Sequence, residues 1–304
     1  MLADQTIRAP DESSTEDSPK FLSLDQGRLT AAREFVPLLR ARGWDTFEKV
    51  MEVAGGQAKR EFPGRRTVRI DLGSSPDHPS GVYLKRYERS YLSVGSRWLR
   101  RLGWRSAQDE AWREWEGIQR ARALGIATAT PVAVGQQTES GIVVRSFLIT
   151  AEIPGAVEGG PYVRQLAPAR RRRFLLQVAA LTRQFHTAGW VHKDLYISHV
   201  LVVPPSDSRD GPDAEAKLFL IDLQRAIQPC CRRERWMVKD LAALAYSALK
   251  SAVSPRDLWH AFAAYRSRPA LSAADRQLAR KILRRVAWLK TRTPKHDKDF
   301  QQLA

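Results

Sequence analysis

The chain of 304 residues is strongly basic, with a formal net charge of +17. Its length and its hydrophobic fraction of 43% are typical of a globular protein with a buried core. No apolar run is long enough for a membrane-spanning helix, the N-terminus lacks a signal-peptide pattern, and two adjacent cysteines exclude a disulfide framework.

The first part of the chain predicts a leader, a helix and then strands. Residues 1–22 are polar and acid-leaning, so we predict a disordered leader there. The apolar spacing from Leu29 to Arg40 predicts a helix that leads into the first lobe. From about Thr46 to Tyr87 the pattern is typical of strands, with alternation at 66–72 and a second run at 81–87.

A helix with apolar spacing follows from Ala107 to Leu124, and two apolar strands are predicted near 130–135 and 141–151. Pro154-Gly155 then breaks the pattern, and we interpret it as the hinge between two lobes. The later part is mostly helical, with predicted helices at Pro168–Thr187, Arg235–Lys250, Pro255–Tyr265 and Ala273–Lys290.

Strands first and helices afterwards predict an α+β fold of two lobes with a cleft between them. The predicted organisation is a leader at 1–22, an N-lobe at 23–153 and a C-lobe at 154–304. We find no internal repeat. Because no export or membrane signal is found, we expect the functional site to face the cytoplasm.

The most specific motif is His192-Lys193-Asp194-Leu195-Tyr196-Ile197-Ser198-His199, followed by an apolar strand and then by Ile221-Asp222-Leu223. Two carboxylates and a second polar residue at this spacing form the layout of a kinase catalytic centre. In that layout Asp194 orients and deprotonates the acceptor hydroxyl. Asp222 binds the Mg²⁺ that bridges the phosphates of ATP. The alternative for each is an ordinary aspartate at a turn or a strand end.

Two more side chains are candidates for the same site. His199 either binds a second metal ion or only supports the loop, and the pattern leaves both open. Lys85 lies in an apolar strand, from which it can contact the α- and β-phosphates; otherwise it is a solvated charge. Its carboxylate partner would be Glu110 or Glu114, which share one face of the next helix.

Asp240 either accepts hydrogen bonds from the backbone of the catalytic loop or only places negative charge near the start of its helix. The chain has no G-x-G-x-x-G motif, so Gly55-Gly56 and Pro63-Gly64 are the candidates for the loop over the nucleotide. It also has no A-P-E after Asp222. Both absences indicate that the acceptor is not an ordinary protein.

Charge alone favours polyanionic partners without choosing among nucleic acid, anionic lipid and phosphorylated glycan. The segment Arg97–Arg105 interleaves arginines with large apolar residues, which suits an anionic membrane surface, nucleic acid or a solvated loop. A nucleic-acid reading rests on charge only, so we expect no specific nucleic-acid partner.

At these residues the chain resembles the lipopolysaccharide kinase family, especially its WaaP-type members, from about residue 62 to residue 295. The resemblance rests on Gly64-Arg65-Arg66-Thr67-Val68-Arg69, Leu84-Lys85-Arg86, Arg113-Glu114-Trp115, the motif at 192–199 and Ile221-Asp222-Leu223-Gln224-Arg225-Ala226. Tyr196-Ile197-Ser198-His199 is the most diagnostic part, because protein kinases have a different sequence there.

This resemblance implies a protein-kinase-like fold, ATP with Mg²⁺, and phosphoryl transfer to a sugar hydroxyl. The implied acceptor is a lipid-linked anionic glycan at the inner face of the cytoplasmic membrane. By position, Asp194 is the catalytic base, Lys85 with Glu114 orients the phosphates, and Asp222 is the metal ligand. A histidine at position 199 is expected for the family, and we predict His199 as the second metal ligand. The departures include Leu195 and Ser198, where heptose kinases commonly have cysteines, and these concern the acceptor more than the chemistry.

Two other readings use the same fold. One is a kinase for another small molecule or for a protein, which would label polypeptides and ignore lipid-linked sugar. The other is a pseudokinase scaffold, against which the presence of Lys85, Glu114, Asp194 and Asp222 argues.

Overall fold

A seven-stranded sheet forms the first half of the described chain, and each of its strand pairings is antiparallel. The structure, a computed structural model, describes residues 20–76, 78–88, 110–139, 142–205, 215–268 and 270–292. The strands are β1 (Phe21–Leu24), β2 (Leu29–Ala32), β3 (Gln57–Phe62), β4 (Arg65–Asp71), β5 (Gly81–Glu88), β6 (Pro131–Glu139) and β7 (Ile142–Ala151). Their order is β1-β2-β6-β7-β5-β4-β3.

The start of the sheet corrects the helix predicted from Leu29 to Arg40. Residues 29–32 are strand β2, and helix α1 covers only Val36–Ala41. Hydrogen bonding to β1 on one side and β6 on the other holds β2 extended, so tertiary pairing overrides the local apolar spacing. The predicted strand region from Thr46 likewise begins with a helix, α2 (Phe47–Met51). The strands predicted at 66–72 and 81–87 are confirmed as β4 and β5.

Helix α3 (Glu110–Ala123) confirms the helix predicted before Gly125, although residues 107–109 lie outside the described ranges. Its buried residues recur at helical spacing, as an amphipathic helix requires, and they include Ala111, Glu114, Trp115, Ile118 and Ala121. At Gly117 a Cβ atom would lie only 2.7 Å from the carbonyl oxygen of Leu223. The helix therefore rests directly on the backbone that follows Asp222.

The second half of the described chain is mostly helical. It contains β8 (Val157–Glu158), α4 (Gly159–Gln165), α5 (Pro168–Thr187), β9 (Val200–Val203), β10 (Lys217–Leu220), α6 (Arg233–Lys250), α7 (Pro255–Arg266) and α8 (Ala273–Arg292). The four predicted helices are confirmed as α5 to α8 with small shifts at their ends. The short elements β8 and α4 were not predicted, because neither is long enough to show a period. Together the two halves confirm the predicted α+β, protein-kinase-like fold.

Three clusters of buried apolar residues form the core. One packs α1 and α2 against the outer face of the sheet and includes Phe47, Leu84 and Phe147. A second joins the opposite face of the sheet to α3, to α5 and to the loop before β9. The third lies among α6, α7 and α8. Because the second cluster draws from both halves, the halves share one core beside the cleft.

Several predictions about organisation remain predictions. Pro154-Gly155 is a turn between β7 and β8, and its role as a hinge is untested, as are the domain limits. The predicted leader lies outside the described residues except for residues 20–22, of which the last two begin β1. The segment Arg97–Arg105 also lies outside them. Among the helices that the structure describes, none combines the length and apolarity needed to cross a membrane.

Candidate active site

Lys85 projects from β5 toward helix α3. Leu84 beside it belongs to the cluster on the outer face of the sheet, so Lys85 points to the opposite face, as alternation along a strand requires. Its Nζ donates to Glu114 Oε1 at 2.6 Å. The side chains of Lys85 and Glu114 are 17% and 3% exposed. The structure thus pairs Lys85 with Glu114 and not with Glu110.

Burial raises the pKa of Glu114, and the opposing charge of Lys85 does not fully offset this effect. The second carboxylate oxygen, Oε2, is buried and has no hydrogen-bond partner among the described residues. The Lys85–Glu114 pair therefore lies in poorly solvated surroundings. If the charge of Lys85 were removed, Glu114 could take up a proton there.

The loop that carries Asp194 is anchored from below by Asp240. One carboxylate oxygen of Asp240 accepts the backbone N–H of His192 at 2.6 Å, and the other accepts that of Lys193 at 2.7 Å. Lys193 has a positive φ of 72°, a conformation that such bonds can hold in a non-glycine residue. Asp240 lies within α6 and is fully buried. This confirms the prediction that Asp240 accepts hydrogen bonds from the backbone of the catalytic loop. The alternative prediction, that Asp240 only places negative charge near the start of its helix, was wrong.

Asp194 lies at the mouth of the cleft with its side chain 24% exposed. Arg225, from the segment after Asp222, places Nη1 at 2.8 Å from both carboxylate oxygens. A carboxylate has about four lone-pair positions, so this contact orients Asp194 and leaves acceptor capacity for a hydroxyl.

His199 has a defined tautomer. Its Nδ1 lies 2.7 Å from the backbone carbonyl oxygen of Asp194, and since a carbonyl only accepts, Nδ1 carries the proton. Burial lowers the pKa of His199, which keeps the ring neutral. Its Nε2 therefore presents a lone pair, and it lies 3.5 Å from Asp222 Oδ2. Two acceptors face each other across a space that suits a cation.

Asp222 has a left-handed backbone, with φ 61° and ψ 50°. Burial alone would raise its pKa, but the positive charges around it, Lys85 first and also Arg65, outweigh burial and lower the pKa to about 2. Its Oδ1 is buried and has no hydrogen-bond partner among the described residues. Asp222 is thus an ionised carboxylate with one oxygen held ready for a further ligand.

These contacts connect all five residues that the sequence predicts for the site. Lys85 is paired with Glu114 and acts electrostatically on Asp222, which faces His199, and the ring of His199 is bonded to the backbone of Asp194. In the part of the chain that the structure describes, no group of three or more His, Cys, Asp or Glu residues is placed to hold a metal ion. A metal here would have two protein ligands.

Sequence reasoning missed two cations of the site. Arg225 orients Asp194, and Arg65 follows the Pro63-Gly64 turn between β3 and β4 and acts on Asp222. Both lie in segments of the family resemblance, but one more arginine among 50 Lys and Arg residues gives no signal of its own. Of the two candidate turns for the loop over the nucleotide, Pro63-Gly64 directly precedes Arg65, whose charge acts on Asp222.

Comparisons with known proteins point to one family. The model of the lipopolysaccharide kinase (Kdo/WaaP) family matches residues 55–265. The chain is 31% identical over 236 residues to the lipopolysaccharide core heptose(I) kinase WaaP of Escherichia coli, covering 75% of this chain and 84% of that protein. It is 30% identical over 283 residues to the WaaP of Pseudomonas aeruginosa, covering 88% and 95%.

A solved structure, "WaaP in complex with acyl carrier protein", is 29% identical and superposes with a TM-score of 0.62. The match covers 88% of this chain and 98% of that chain. The range that the family model matches, residues 55–265, takes in parts of both halves of the fold and the positions of the site residues described above.

Proposed function

The chain belongs to the lipopolysaccharide kinase (Kdo/WaaP) family, and we propose that it transfers the γ-phosphoryl group of ATP to a hydroxyl of an inner-core sugar of lipopolysaccharide. Its relatives are named as core heptose(I) kinases, phosphotransferases that act on a sugar hydroxyl. The observation that carries the proposal is the connected set of Lys85, Glu114, Asp194, His199 and Asp222 in one cleft.

In this mechanism the residues position and polarise the reactants, because phosphoryl transfer needs little covalent help from the protein. Lys85, held by Glu114, binds phosphate oxygens of the nucleotide. Asp194, oriented by Arg225, accepts the proton of the sugar hydroxyl as that oxygen attacks. The buried surroundings of Lys85 strengthen its attraction to phosphate.

Asp222 and His199 are the residues that would hold Mg²⁺. The fit is supported by the unpartnered buried oxygen of Asp222 and by the lone pair on Nε2 of neutral His199. Mg²⁺ keeps several waters and binds substrate phosphates, so few protein ligands suffice, although imidazole is softer than it prefers. When bound, the ion would neutralise charge on the phosphates.

We further propose that the acceptor is a lipid-linked anionic glycan, reached from the inner face of the cytoplasmic membrane. The net charge of +17 supports an anionic partner, and the relatives are named for the lipopolysaccharide core. Leu195 and Ser198 stand where heptose kinases commonly have cysteines, and these differences concern the acceptor sugar rather than the transfer chemistry.

The proposal is tested by ATP-dependent phosphate transfer with Mg²⁺ to lipopolysaccharide that lacks core phosphate. A generic protein acceptor and an Asp194→Asn variant run beside it. We expect incorporation into the glycolipid by the wild type and a loss of at least about 100-fold in the variant, since general-base catalysis contributes that much. Retained turnover in the variant would remove Asp194 from the mechanism.

The two other readings give different outcomes in the same assay. Labelling of the protein acceptor without the glycolipid would favour a protein kinase. Binding of ATP without transfer to either acceptor would favour a kinase for a different small acceptor or a pseudokinase scaffold.

A second function, binding of an acyl carrier protein, is favoured by an apolar cavity of about 370 Å³ in the helical half. It lies among α5, α6, α7 and α8, and the exposed side chains of Trp259 and Leu283 are at its lining. A solved relative is titled as a complex with acyl carrier protein, whose acyl chain is apolar. We propose that such a chain enters this cavity, which has the size of a typical ligand pocket.

Calorimetric titration with acyl-loaded and unloaded acyl carrier protein tests this second function. Ala245→Trp places a large side chain in the cavity lining and is expected to weaken binding of the loaded form, whereas the exposed Arg280→Trp is the matched control. Equal binding of loaded and unloaded forms would exclude the cavity as the acyl site.

A further inference from the structure

Two lysine side chains converge on the ring of Trp236 at the start of α6. Lys239 Nζ lies 4.2 Å from the ring centroid, and Lys193 Nζ lies 5.1 Å from it. Contact with an aromatic face is favourable for each ammonium, but it does not neutralise the charge. Arg235, next to Trp236 on the chain, adds a third cation. We call Lys193, Arg235 and Lys239 the basic cluster.

Acids next to the basic cluster along the chain are already engaged elsewhere. Asp194, beside Lys193, bonds to Arg225; Glu234, beside Arg235, pairs with Lys281; and Asp240, beside Lys239, accepts backbone N–H groups. Among the residues with described positions, none forms an ion pair with a member of the basic cluster. None of the three cations therefore forms an ion pair with a described residue, and Asp194 and Asp240 act on Lys193 only through their charge.

Electrostatics within the cluster agree with this geometry. Burial lowers the pKa of Lys193, and the charges of Arg225 and Arg113 lower it further. Burial also lowers the pKa of Lys239, with Arg235 and Arg285 adding to the effect. An anion that binds between these cations reduces the repulsion among them. The folded protein therefore has a site that is already arranged to bind an anion.

The basic cluster borders an open recess of about 360 Å³, lined by Arg235, Lys239, Lys281 and Arg285 together with Glu234 and Val238. The recess is linked to the catalytic loop through Trp236, because Lys239 of its lining and Lys193, which directly precedes Asp194, both contact that ring. The residues that bind ATP, Lys85 and Asp222, belong to other elements of the fold. A chemical group bound in this recess would therefore belong to the acceptor and would lie near the hydroxyl that reacts.

We propose that the basic cluster binds an anionic substituent of the acceptor, a carboxylate or a phosphate, and so selects a sugar whose neighbour carries negative charge. This inference rests on the proposed function, because it names what the acceptor must present beside its reacting hydroxyl. The cluster makes Lys239 and Arg235 specificity-determining residues, whereas Asp194 remains the group that acts on the hydroxyl. The two sources of the anion, a sugar acid or a phosphate, are separable by experiment.

The test measures the KM for a delipidated, core-phosphate-free oligosaccharide acceptor with wild type, Lys239→Met and Lys239→Met/Arg235→Met. Removal of a charged hydrogen-bond partner is expected to raise this KM by about 10-fold or more, with the KM for ATP unchanged. Lys250→Met is the matched control, because Lys250 lies over Tyr246 on the same helix, 5.1 Å from its ring centroid. The control is expected to keep the wild-type KM for the acceptor.

Chemically altered acceptors identify the source of the anion. One has its sugar-acid carboxyls reduced to alcohols, and another has its remaining phosphates removed. The acceptor that lacks the recognised anion is expected to bind equally weakly to wild type and to Lys239→Met. A KM for the native acceptor within about twofold of wild type in the double variant would overturn the inference, given the size of such contacts.

Binding without turnover separates this inference from the proposed function. Calorimetric titration of the oligosaccharide without ATP is expected to show an affinity that falls in Lys239→Met and with added salt. If the wild type binds the oligosaccharide in this way but transfers no phosphate, anion binding by the basic cluster is supported and the proposed kinase activity is contradicted. Transfer that is indifferent to Lys239 would defeat the cluster and sustain the kinase proposal.

Discussion

At the scale of single residues, the Lys85–Glu114 pair is expected to contribute much to activity and little to the stability of the fold. The ammonium lies 2.6 Å from a nearly inaccessible carboxylate whose pKa burial raises. If Lys85 is replaced, Glu114 can take up a proton instead of remaining a buried unpaired charge. We therefore expect Lys85→Met to fold normally and to lose about 100-fold or more in kcat, because the cation that binds and orients the nucleotide phosphates is missing.

Steady-state kinetics and thermal melting of Lys85→Met check this expectation. The double variant Lys85→Met/Glu114→Gln is expected to be no slower than the single variant, since the two side chains act as one unit. Lys49→Met is the control, because Lys49 is an exposed lysine that pairs with Asp45 on the surface. A large fall in melting temperature with unchanged kcat would assign the pair a purely structural role.

Residue identities at the centre of the site could be predicted, but their surroundings could not. Asp194, Asp222, Lys85 and Glu114 belong to motifs in which type and spacing carry the chemistry, and the structure brings them together. Arg225 carries no such signal, because its importance depends on a contact with Asp194, 31 residues away along the chain. The tautomer of His199 likewise depends on a backbone carbonyl and cannot be read from spacing.

At the scale of elements, Asp275 fastens the start of α8 to the end of α7. Its carboxylate accepts the backbone N–H of Ser272 at 3.0 Å and its hydroxyl at 2.7 Å, while Arg266 donates at 2.6 Å. Ser272 Oγ in turn accepts the backbone N–H of Asp275, which is a reciprocal cap of the helix. The hydrogen bonds from Ser272 and the charge of Arg266 lower the pKa of Asp275 to about 2.

This lowered pKa has a predictable sign in the stability of the protein. A carboxyl group with a depressed folded pKa stabilises the fold above its unfolded pKa, about 3.9, and loses that contribution as the pH falls toward about 2. Asp275→Asn should therefore melt below wild type at pH 7, and the gap should narrow between about pH 4 and pH 2. A gap that is constant over pH in melting curves would show that the charge of Asp275 is not what stabilises the junction.

Elements with several turns of regular apolar spacing could be predicted from the sequence, and short elements could not. Helices α5 to α8 show three or more turns of apolar spacing, and their positions are confirmed. Strand β2 was mistaken for helix because its apolar residues run into those of α1, and pairing with β1 and β6 decides its conformation. Non-local pairing of this kind leaves no trace in a local window of sequence.

At the scale of the whole molecule, the two halves share a cluster of buried side chains. Trp115 and Ile118 of α3 pack in the same cluster as Phe174 of α5 and Leu195 of the catalytic loop. Unfolding either half alone would expose apolar surface of the other. We expect calorimetry to show one cooperative transition, with fluorescence and circular dichroism melting together. Two separated transitions would mean that the lobes fold independently despite their common core.

The close approach at Gly117 has a consequence for how this protein can be controlled. Helix α3 rests on the backbone of Leu223 with no room for even a methyl group, and Glu114 and Asp222 lie on either side of that contact. The helix cannot tilt outward alone, because it would have to carry the segment after Asp222 with it or open a void over Leu223. An outward movement of α3 is therefore expected to be coupled to a movement of the segment after Asp222, so that Glu114 and Asp222 shift together.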